Sequence, residues 1–343
     1  MAYTTIKKPS DYFNTKIYTG DGSSSRAITG IGFEPSLTWN KPRTTANDHQ
    51  LVDAVRGGGK VISSNLADAE YTAGNTILSF NSDGFTCGDG ASVNVNGVNY
   101  ASWNWKAGTT SIPSGSSTAP TAVSINATAG FGIYEYTGTG VTGRTLAHGL
   151  NSAPKMMIVK RLNSTRNWGV YHSSLANTEY LELNTTTAKQ TGNWWGNTTP
   201  TSSLIYLGND GATNGSSDPF IMYAFAEKQG YSKFGSYTGN GNADGTFVYT
   251  GFKPAFVMVK ATGLVKNWCI LDNKRDGYNP QNEQLHPNTS GAETMGSGST
   301  GDLLSNGFKW KVTDDDKNGS GATYIYMAFA SEPLVGDNPA TAR

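Results

Sequence analysis

One short phrase written three times constrains this chain more than anything else in it. Tyr18-Thr-Gly-Asp-Gly22 returns as Tyr136-Thr-Gly-Thr-Gly140 and again as Tyr237-Thr-Gly-Asn-Gly241. After each copy a proline opens a strand that ends in lysine: Pro35-Ser-Leu-Thr-Trp-Asn-Lys41, Pro154-Lys-Met-Met-Ile-Val-Lys160 and Pro254-Ala-Phe-Val-Met-Val-Lys260. The steps from Tyr to Pro are 17, 18 and 17 residues, and those from Pro to Lys are 6, 6 and 6. Seven residues beyond each Lys another strand begins: Asp48-His-Gln-Leu-Val-Asp53, Asn167-Trp-Gly-Val-Tyr-His172 and Asn267-Trp-Cys-Ile-Leu-Asp272. Ser82-Asp-Gly-Phe85 and Ser305-Asn-Gly-Phe308 follow in the first and third copies, and the second has no clear counterpart. Each copy closes on an aromatic strand, Tyr100–Trp105, Phe220–Phe225 and Tyr324–Phe329. Spacing matched at so many points makes the chain a triplication.

The repeated unit reads as β structure. Glycines in the Tyr-Thr-Gly-x-Gly phrase supply positive φ where a strand must turn, and proline at a strand's first residue costs no ladder bond. Leu37 and Trp39 alternate with Thr38 and Asn40, the pattern of a half-buried strand, whereas Met156–Val159 and Phe256–Val259 are apolar throughout and read as covered on both faces. Charged residues are only 15% of the chain and aromatics 11%, with 42 Gly, which disfavours helices and disorder alike. The expected fold is all-β: three tandem antiparallel β-sandwich modules of jelly-roll type, at residues 1–107, 130–230 and 231–333, each about 90–110 residues, the size of one sandwich. Residues 108–129, rich in Ser, Thr and Pro, read as a semi-extended linker. Modules two and three run together without one and are expected to dock, and residues 334–343 read as a tail. In register, Trp39, Trp103, Trp105, Trp168 and Trp268 are core.

The chemistry-bearing residues point away from catalysis. Lys+Arg and Asp+Glu are both 26, so no basic field attracts nucleic acid or an anionic membrane. No run is long and apolar enough to span a bilayer, and the N-terminus lacks the apolar stretch of a secretory signal. Two cysteines, Cys87 and Cys269, make neither a disulfide scaffold nor a thiolate zinc site. His49 and Asp53, with His172 and Asp272 at the positions matching Asp53, read as polar strand ends that bond their neighbours. Gly138-Thr-Gly140-Val-Thr-Gly143 spells a dinucleotide fingerprint but has no following helix, so it reads as a hairpin turn. Asp314–Asp316 and Asp83–Asp89 lack calcium-loop spacing, and Glu179, Glu182 and Glu227 offer no selected carboxylate pair. No catalytic residue, metal or cofactor is expected. The remaining candidate is Asn193-Trp194-Trp195-Gly-Asn197, outside the repeat register: either both tryptophans cover the end of the sandwich, or, since adjacent residues in a strand face opposite ways, at least one is exposed as a recognition platform with Asn193 and Asn197 beside it.

Asp11-Tyr-Phe-Asn-Thr-Lys-Ile-Tyr-Thr-Gly20, Ile28-Thr-Gly-Ile-Gly-Phe-Glu-Pro35, Trp103-Asn-Trp-Lys106, Gly230-Tyr-Ser-Lys-Phe-Gly-Ser-Tyr-Thr-Gly-Asn-Gly241 and the Pro-Ala-Thr-Ala-Arg343 end resemble tandem-repeat proteins of marine tailed bacteriophages. The resemblance implies concanavalin-like or SPRY-like sandwiches in a virion protein, often called tail-fibre-like, made in the host cytoplasm. It brings no active-site motif. The expectation is a non-enzymatic tail component (fibre, baseplate or adhesin) that contacts the host surface, with a capsid decoration or head-fibre protein as the alternative. Partners expected are other virion proteins and a host-surface glycan or outer-membrane protein, with no nucleic acid and no membrane insertion. A homo-oligomer is expected, a trimer favoured. Modules in series suit an extended rod, and module one, ahead of the linker, is the expected anchor.

Overall fold

The computed structural model describes residues 3–295, 301–337 and 339–341, so part of the expected tail lies outside the described residues. Among these the fold is all-β, with several antiparallel sheets of the sandwich class and one 3-10 turn at Pro9–Asp11. Three sheets sharing a four-stranded centre dominate, one per repeat, the second extended to seven strands by Ala122–Asn126 on one edge and by Glu179–Glu182 and Gln190–Thr191 on the other. In spatial order the first is Phe13–Thr19, Asn99–Trp105, Leu37–Pro42, Gln50–Asp53. The second is Phe131–Thr137, Pro219–Ala226, Pro154–Arg161, Gly169–His172, and the third Ser232–Thr238, Thr323–Pro333, Phe252–Ala261, Trp268–Asp272. The opening strand and the proline strand thus both pair with the closing aromatic strand. The tyrosine of each glycine phrase faces an aromatic partner across that ladder: Tyr18 stacks on Tyr100 at 5.1 Å, Tyr136 on Phe220 at 5.2 Å and Tyr237 on Tyr324 at 5.0 Å.

Strand periodicity then sends alternate side chains to opposite faces. In the third repeat Phe256, Met258, Ile325, Met327 and Phe329 face one way, and Val257, Val259, Tyr324, Tyr326 and Ala328 the other. The second set is covered by a smaller sheet, Phe247–Tyr249, Gly307–Trp310, Gly301–Leu304. The first repeat has the same layer in Arg26–Ile28, Gly84–Cys87, Ile77–Asn81, and the second has Arg144–Ala147 with Leu204–Leu207.

The other faces of the three arrays meet each other. A single apolar cluster joins Phe13, Trp39, Trp103 and Trp105 with Phe131, Ile158, Trp168 and Phe225 and with Phe256, Trp268 and Phe329. At its middle the last aromatic of each closing strand packs against the other two: Trp105–Phe225 at 6.2 Å, Trp105–Phe329 at 5.7 Å, Phe225–Phe329 at 5.9 Å. The expected rod is therefore corrected. Large apolar side chains occupy both faces of each array, and the face not covered within its own repeat is buried by the neighbouring repeats.

Two further expectations change. The strand Leu37–Pro42 is buried throughout, because Thr38 and Asn40 have partners inside: Thr38 Oγ1 donates to Asn104 Oδ1 at 2.9 Å and Asn40 Nδ2 to the Ser92 carbonyl at 2.7 Å. Residues 108–129 do not hang between bodies. Ala122–Asn126 adds an edge strand to the second array, burying Val123 and Ile125, and Thr118 bridges to Leu146.

Candidate functional site

Ionisable and aromatic groups at the start of each third strand, and the lysine before it, tie the repeats into a ring. His49 Nε2 donates to the His286 carbonyl at 3.0 Å, Trp168 Nε1 to that of Ser63 at 3.0 Å and Trp268 Nε1 to that of Glu182 at 2.9 Å. His49 has this tautomer because Trp39 Nε1 donates to its Nδ1 at 2.8 Å, and burial holds its pKa well below the ordinary value. Four residues past each acceptor sits a second one. Lys41 Nζ donates to the Ser290 carbonyl (3.1 Å), Lys160 to Ala67 (2.9 Å) and Lys260 to Thr186 (3.3 Å). Burial pushes all three lysines down to about 8. Three residues further, backbone N–H groups repeat the pattern: Glu70 to the Leu162 carbonyl, Lys189 to Thr262 and Glu293 to Arg43. The two side-chain sets donate from one to three, two to one and three to two, and the backbone N–H set returns across the same three contacts in the opposite sense, so the ring closes within one chain.

A buried ion pair marks two of the three contacts. Arg275 Nε bonds Asp272 Oδ2 at 2.6 Å, its Nη1 bonds Glu293 at 2.6 Å, its Nη2 donates to the Ile270 carbonyl, and Trp103 of the first repeat donates to Asp272 at 3.0 Å. Arg56 repeats this with Asp53 (2.6 Å), Glu70 (3.1 Å) and the Leu51 carbonyl, and Tyr223 of the second repeat donates to Asp53 at 2.8 Å. Burial works to raise the Asp272 carboxyl, but Arg275 beside it wins and holds it below the ordinary carboxylate value. At the third contact the same places hold His172 and Leu175, with His172 at Tyr326 and with Leu175 and Met327 both in the shared apolar cluster. His172 Nε2 bonds the Tyr326 carbonyl at 3.1 Å, and burial lowers the imidazole to about 4. Spacing alone places Leu175 and Met327 where the other contacts have arginine and a ring donor.

The expected recognition platform is corrected. Trp194 is 5% exposed and Trp195 0%. They lie in a bend, not a strand, so the alternation argument does not hold there. The Trp194 carbonyl accepts Gly208 N–H as the Thr76 carbonyl accepts Gly88 N–H, which puts Trp195 in the place of Ile77. Trp194 stacks on Tyr180 at 3.7 Å over Gly169, where an added Cβ would meet its ring at 2.8 Å, and Trp195 packs edge-on to Tyr171. In the third repeat Gly301 holds this place and Trp310 across the ladder fills the space. Asn193 bonds Thr142 and Asn209, and Asn197 is an exposed turn residue with φ 51°.

Other sequence candidates are occupied by local structure. The Gly138–Gly143 segment is a turn but not a hairpin, since it crosses from the main sheet to the outer one, and its Gly140 and Gly143 N–H groups bond the Asn214 and Leu207 carbonyls. Asp83 accepts the N–H groups of Gly30 and Gly32. Glu179 pairs with Lys189 and Glu227 with Lys233. Cys87 and Cys269 are free and buried. Ligand atoms of Cys269, His286 and Asp316 lie within 4.8 Å of one another. The Gln284 amide already bonds both the Cys269 sulfur (3.3 Å) and His286 Nε2 (2.9 Å), and Lys317 donates to Gln284 at 2.8 Å. Burial raises the Cys269 thiol to about 12, so the cluster is a hydrogen-bonded one. Sequence reasoning missed Asn94, Asn214 and Asn318, whose buried side chains accept the N–H of Asp21, Thr139 and Asn240 and so pin each glycine phrase. Their signal is there: each stands six residues before its closing aromatic strand's first ring, Tyr100, Phe220 or Tyr324.

Among the clefts of the described residues, one in the third repeat lies under an inserted loop. The bridged pairs Leu51–Ile62, Val170–Leu181 and Ile270–Leu285 mark one structural position, with separations of 11, 11 and 15 residues. The extra length falls in the loop carrying Gly277-Tyr278-Asn279. That loop is held: Asn279 donates to the Leu303 carbonyl at 2.8 Å and accepts its N–H at 2.9 Å, Gln281 donates to the Tyr278 carbonyl at 2.9 Å, and Asp276 accepts the Glu283 N–H at 2.9 Å. Tyr278 is 75% exposed. Beneath it lies a half-open cleft of about 300 Å³ lined by Lys253, Asn273, Gln281, Leu303 and Ser305. Asn273 Oδ1 is buried there with no hydrogen-bond partner.

The chain belongs to the family described as Domain of unknown function (DUF7483), whose model matches residues 8–333. No curated protein matches it.

Proposed function

We propose that this is a non-enzymatic virion structural protein of a tailed bacteriophage, in the tail, that contributes to attachment at the host surface. Its three repeats are read as tandem jelly-roll or concanavalin-like sandwiches that close on one another. The observation that carries the reading is the held four-residue insertion: a shared frame built three times, with one copy lengthened by a pinned loop that carries the exposed Tyr278 over a cleft. Loops that vary on a constant frame are where binding residues concentrate. The buried charged groups described above serve the contacts between repeats. The phage assignment draws on the sequence words shared with marine phage repeat proteins. Its partners are other virion proteins and a host glycan or outer-membrane protein. The homotrimer expectation rests on the fibre reading, to which the closed body adds no support, and the choice of the first repeat as anchor rested on a free joint at 108–129, which is docked. The compact shape favours a tip or baseplate component over a fibre shaft, and equally lends support to a capsid decoration protein. Cryo-electron microscopy of the virion tests this: density at the tail supports it, density over the capsid lattice replaces it with the decoration reading. Purified protein that competes with virion adsorption supports host contact, and no competition at saturating protein overturns it.

A further inference from the structure

We propose that the cleft beneath Tyr278 binds one pyranose unit of a glycan, which rests on the host-surface reading and names the ligand class for it. A sugar ring has an apolar C–H face and a rim of hydroxyls, each able to donate and accept. The cleft offers a match for both. The Tyr278 ring is a flat amphipathic surface left in water, although aromatic side chains are usually covered. It does not fill the core, and Asn279 and Gln281 hold its loop in place before any ligand arrives. Pre-ordering of this kind lowers the entropic cost of binding. Asn273 Oδ1 is a buried acceptor without a donor, and a sugar hydroxyl supplies one. Ser305 adds a hydroxyl at the wall and Lys253 the cation, whose nearest carboxylate, Glu332, is 3.8 Å away. At about 300 Å³ the cleft sits at the small end of ligand sites, the scale of a sugar ring and not of a folded partner. One cation among amides, hydroxyls and a tyrosine favours a neutral polyol over a phosphate or an acidic peptide.

The test uses the full chain and four probes: tetrasaccharides of glucose, galactose, mannose and N-acetylglucosamine, followed by saturation-transfer NMR and calorimetric titration. At least one tetramer is expected to bind. Tyr278→Ala is expected to weaken it about tenfold or more, the ratio that a lost ring contact of ~1.4 kcal/mol gives. Tyr278→Phe keeps the face and is expected to stay within about threefold, and Asn273→Ala to lose about threefold or more. Unchanged thermal midpoints establish that the variants fold, and Tyr278→Phe stands as the second readout if Asn273→Ala does not. Binding by none of the tetramers, or binding that survives Tyr278→Ala, overturns the assignment. The two readings fail separately. Tyr278→Ala protein that competes with adsorption as well as the wild type leaves host attachment standing and removes this site from it. Tetramer binding that depends on Tyr278, in a protein located only on the capsid lattice, keeps the site and removes tail attachment.

Discussion

Arg275→Leu tests the shared core most directly. The guanidinium is fully buried and holds Asp272, Glu293 and the Ile270 carbonyl at once. Removing it leaves the Asp272 carboxylate, itself fully buried, with only the Trp103 indole and local backbone N–H groups. Breaking one side of a buried pair costs about 3–5 kcal/mol. Glu293 keeps Arg43 at 2.8 Å, so the stranded charge is that of Asp272. The double variant Asp272→His, Arg275→Leu copies the pairing the second repeat uses at His172 and Leu175. It leaves no unpaired carboxylate, and apolar replacement of a buried pair is often close to neutral, so its cost is expected at about 1–3 kcal/mol. The double variant is therefore expected to be more stable than Arg275→Leu alone, a sign that additive contributions cannot give. Urea unfolding followed by tryptophan fluorescence and by far-ultraviolet circular dichroism measures both. Because the tryptophans of all three repeats lie in or against the same core, both probes are expected to report one transition. A double variant less stable than the single one, or a third repeat that melts apart from the others, refutes the argument.

The three clip lysines give a pH dependence. Each has a pKa of about 8 in the folded chain, below the ordinary value of about 10.4, so between these the unfolded chain binds more protons. Stability is expected to be lowest below pH 8 and to rise from there toward pH 10, by up to about 1.4 kcal/mol per pH unit per lysine; a flat or falling urea midpoint from pH 8 to 9.5 sinks this. Trp195→Ala is expected to cost about 3–5 kcal/mol as a core truncation, and a loss below ~1 kcal/mol in chemical denaturation would return Trp195 to the surface. Gly301→Ala is expected to destabilise by about 1–3 kcal/mol, because the new Cβ meets the Trp310 ring at 3.0 Å, and an unchanged thermal midpoint counts against that packing. Light scattering on the purified chain is expected to return one 36.4 kDa copy, and a stable trimer would show that the closed ring leaves another self-contact unused.

The repeated strands were legible because local chemistry specifies them, and their pairing was not, because it joins segments far apart in the chain. Glycine phrases, strand-opening prolines and aromatic closers each act within a few residues, and their spacing repeats. The closing of the ring was not legible, although its parts were in view. Trp168 and Trp268 read as core, and they are, but the carbonyls they reach belong to neighbouring repeats. An apolar strand face looks the same whether it meets its own second sheet or another repeat's first one. His49 at the matching place hid the relation further, since a histidine and two tryptophans share a ring N–H and little else. Trp194 and Trp195 misled for a different reason. The second repeat lacks the Ser-Asp-Gly-Phe turn, its outer layer has two strands where the others have three, and the Trp194-Trp195 segment is a bend to which the side-chain alternation of a strand does not apply. In residues 108–129 the Ser and Pro content outweighed the apolar Val123 and Ile125, whose alternation marks the edge strand. The cleft shows in sequence only as a longer step between matched strands, and that step cannot be measured until the bridge at Leu285 is known.

Joining the repeats in one chain changes what their contact can become. The contact is heterologous, each repeat offering ring and lysine donors to one neighbour and the carbonyls that accept them to the other, and it closes after three. In a homotrimer all three contacts would be identical, and a substitution on either side would be felt three times. Here Arg56–Asp53 with Tyr223 and Arg275–Asp272 with Trp103 solve two contacts with charge, while Leu175 with Met327 solves the third without it. Each solution needs both sides to agree, and only covalent linkage keeps the matched sides together. The same freedom applies at the outer rim. Four residues inserted once put the Tyr278 cleft on one repeat of a body of threefold build, where a homotrimer would carry it three times. On the glycan reading each molecule then holds one sugar at that cleft, and avidity for a cell surface comes from the number of molecules on the particle and not from the symmetry of each.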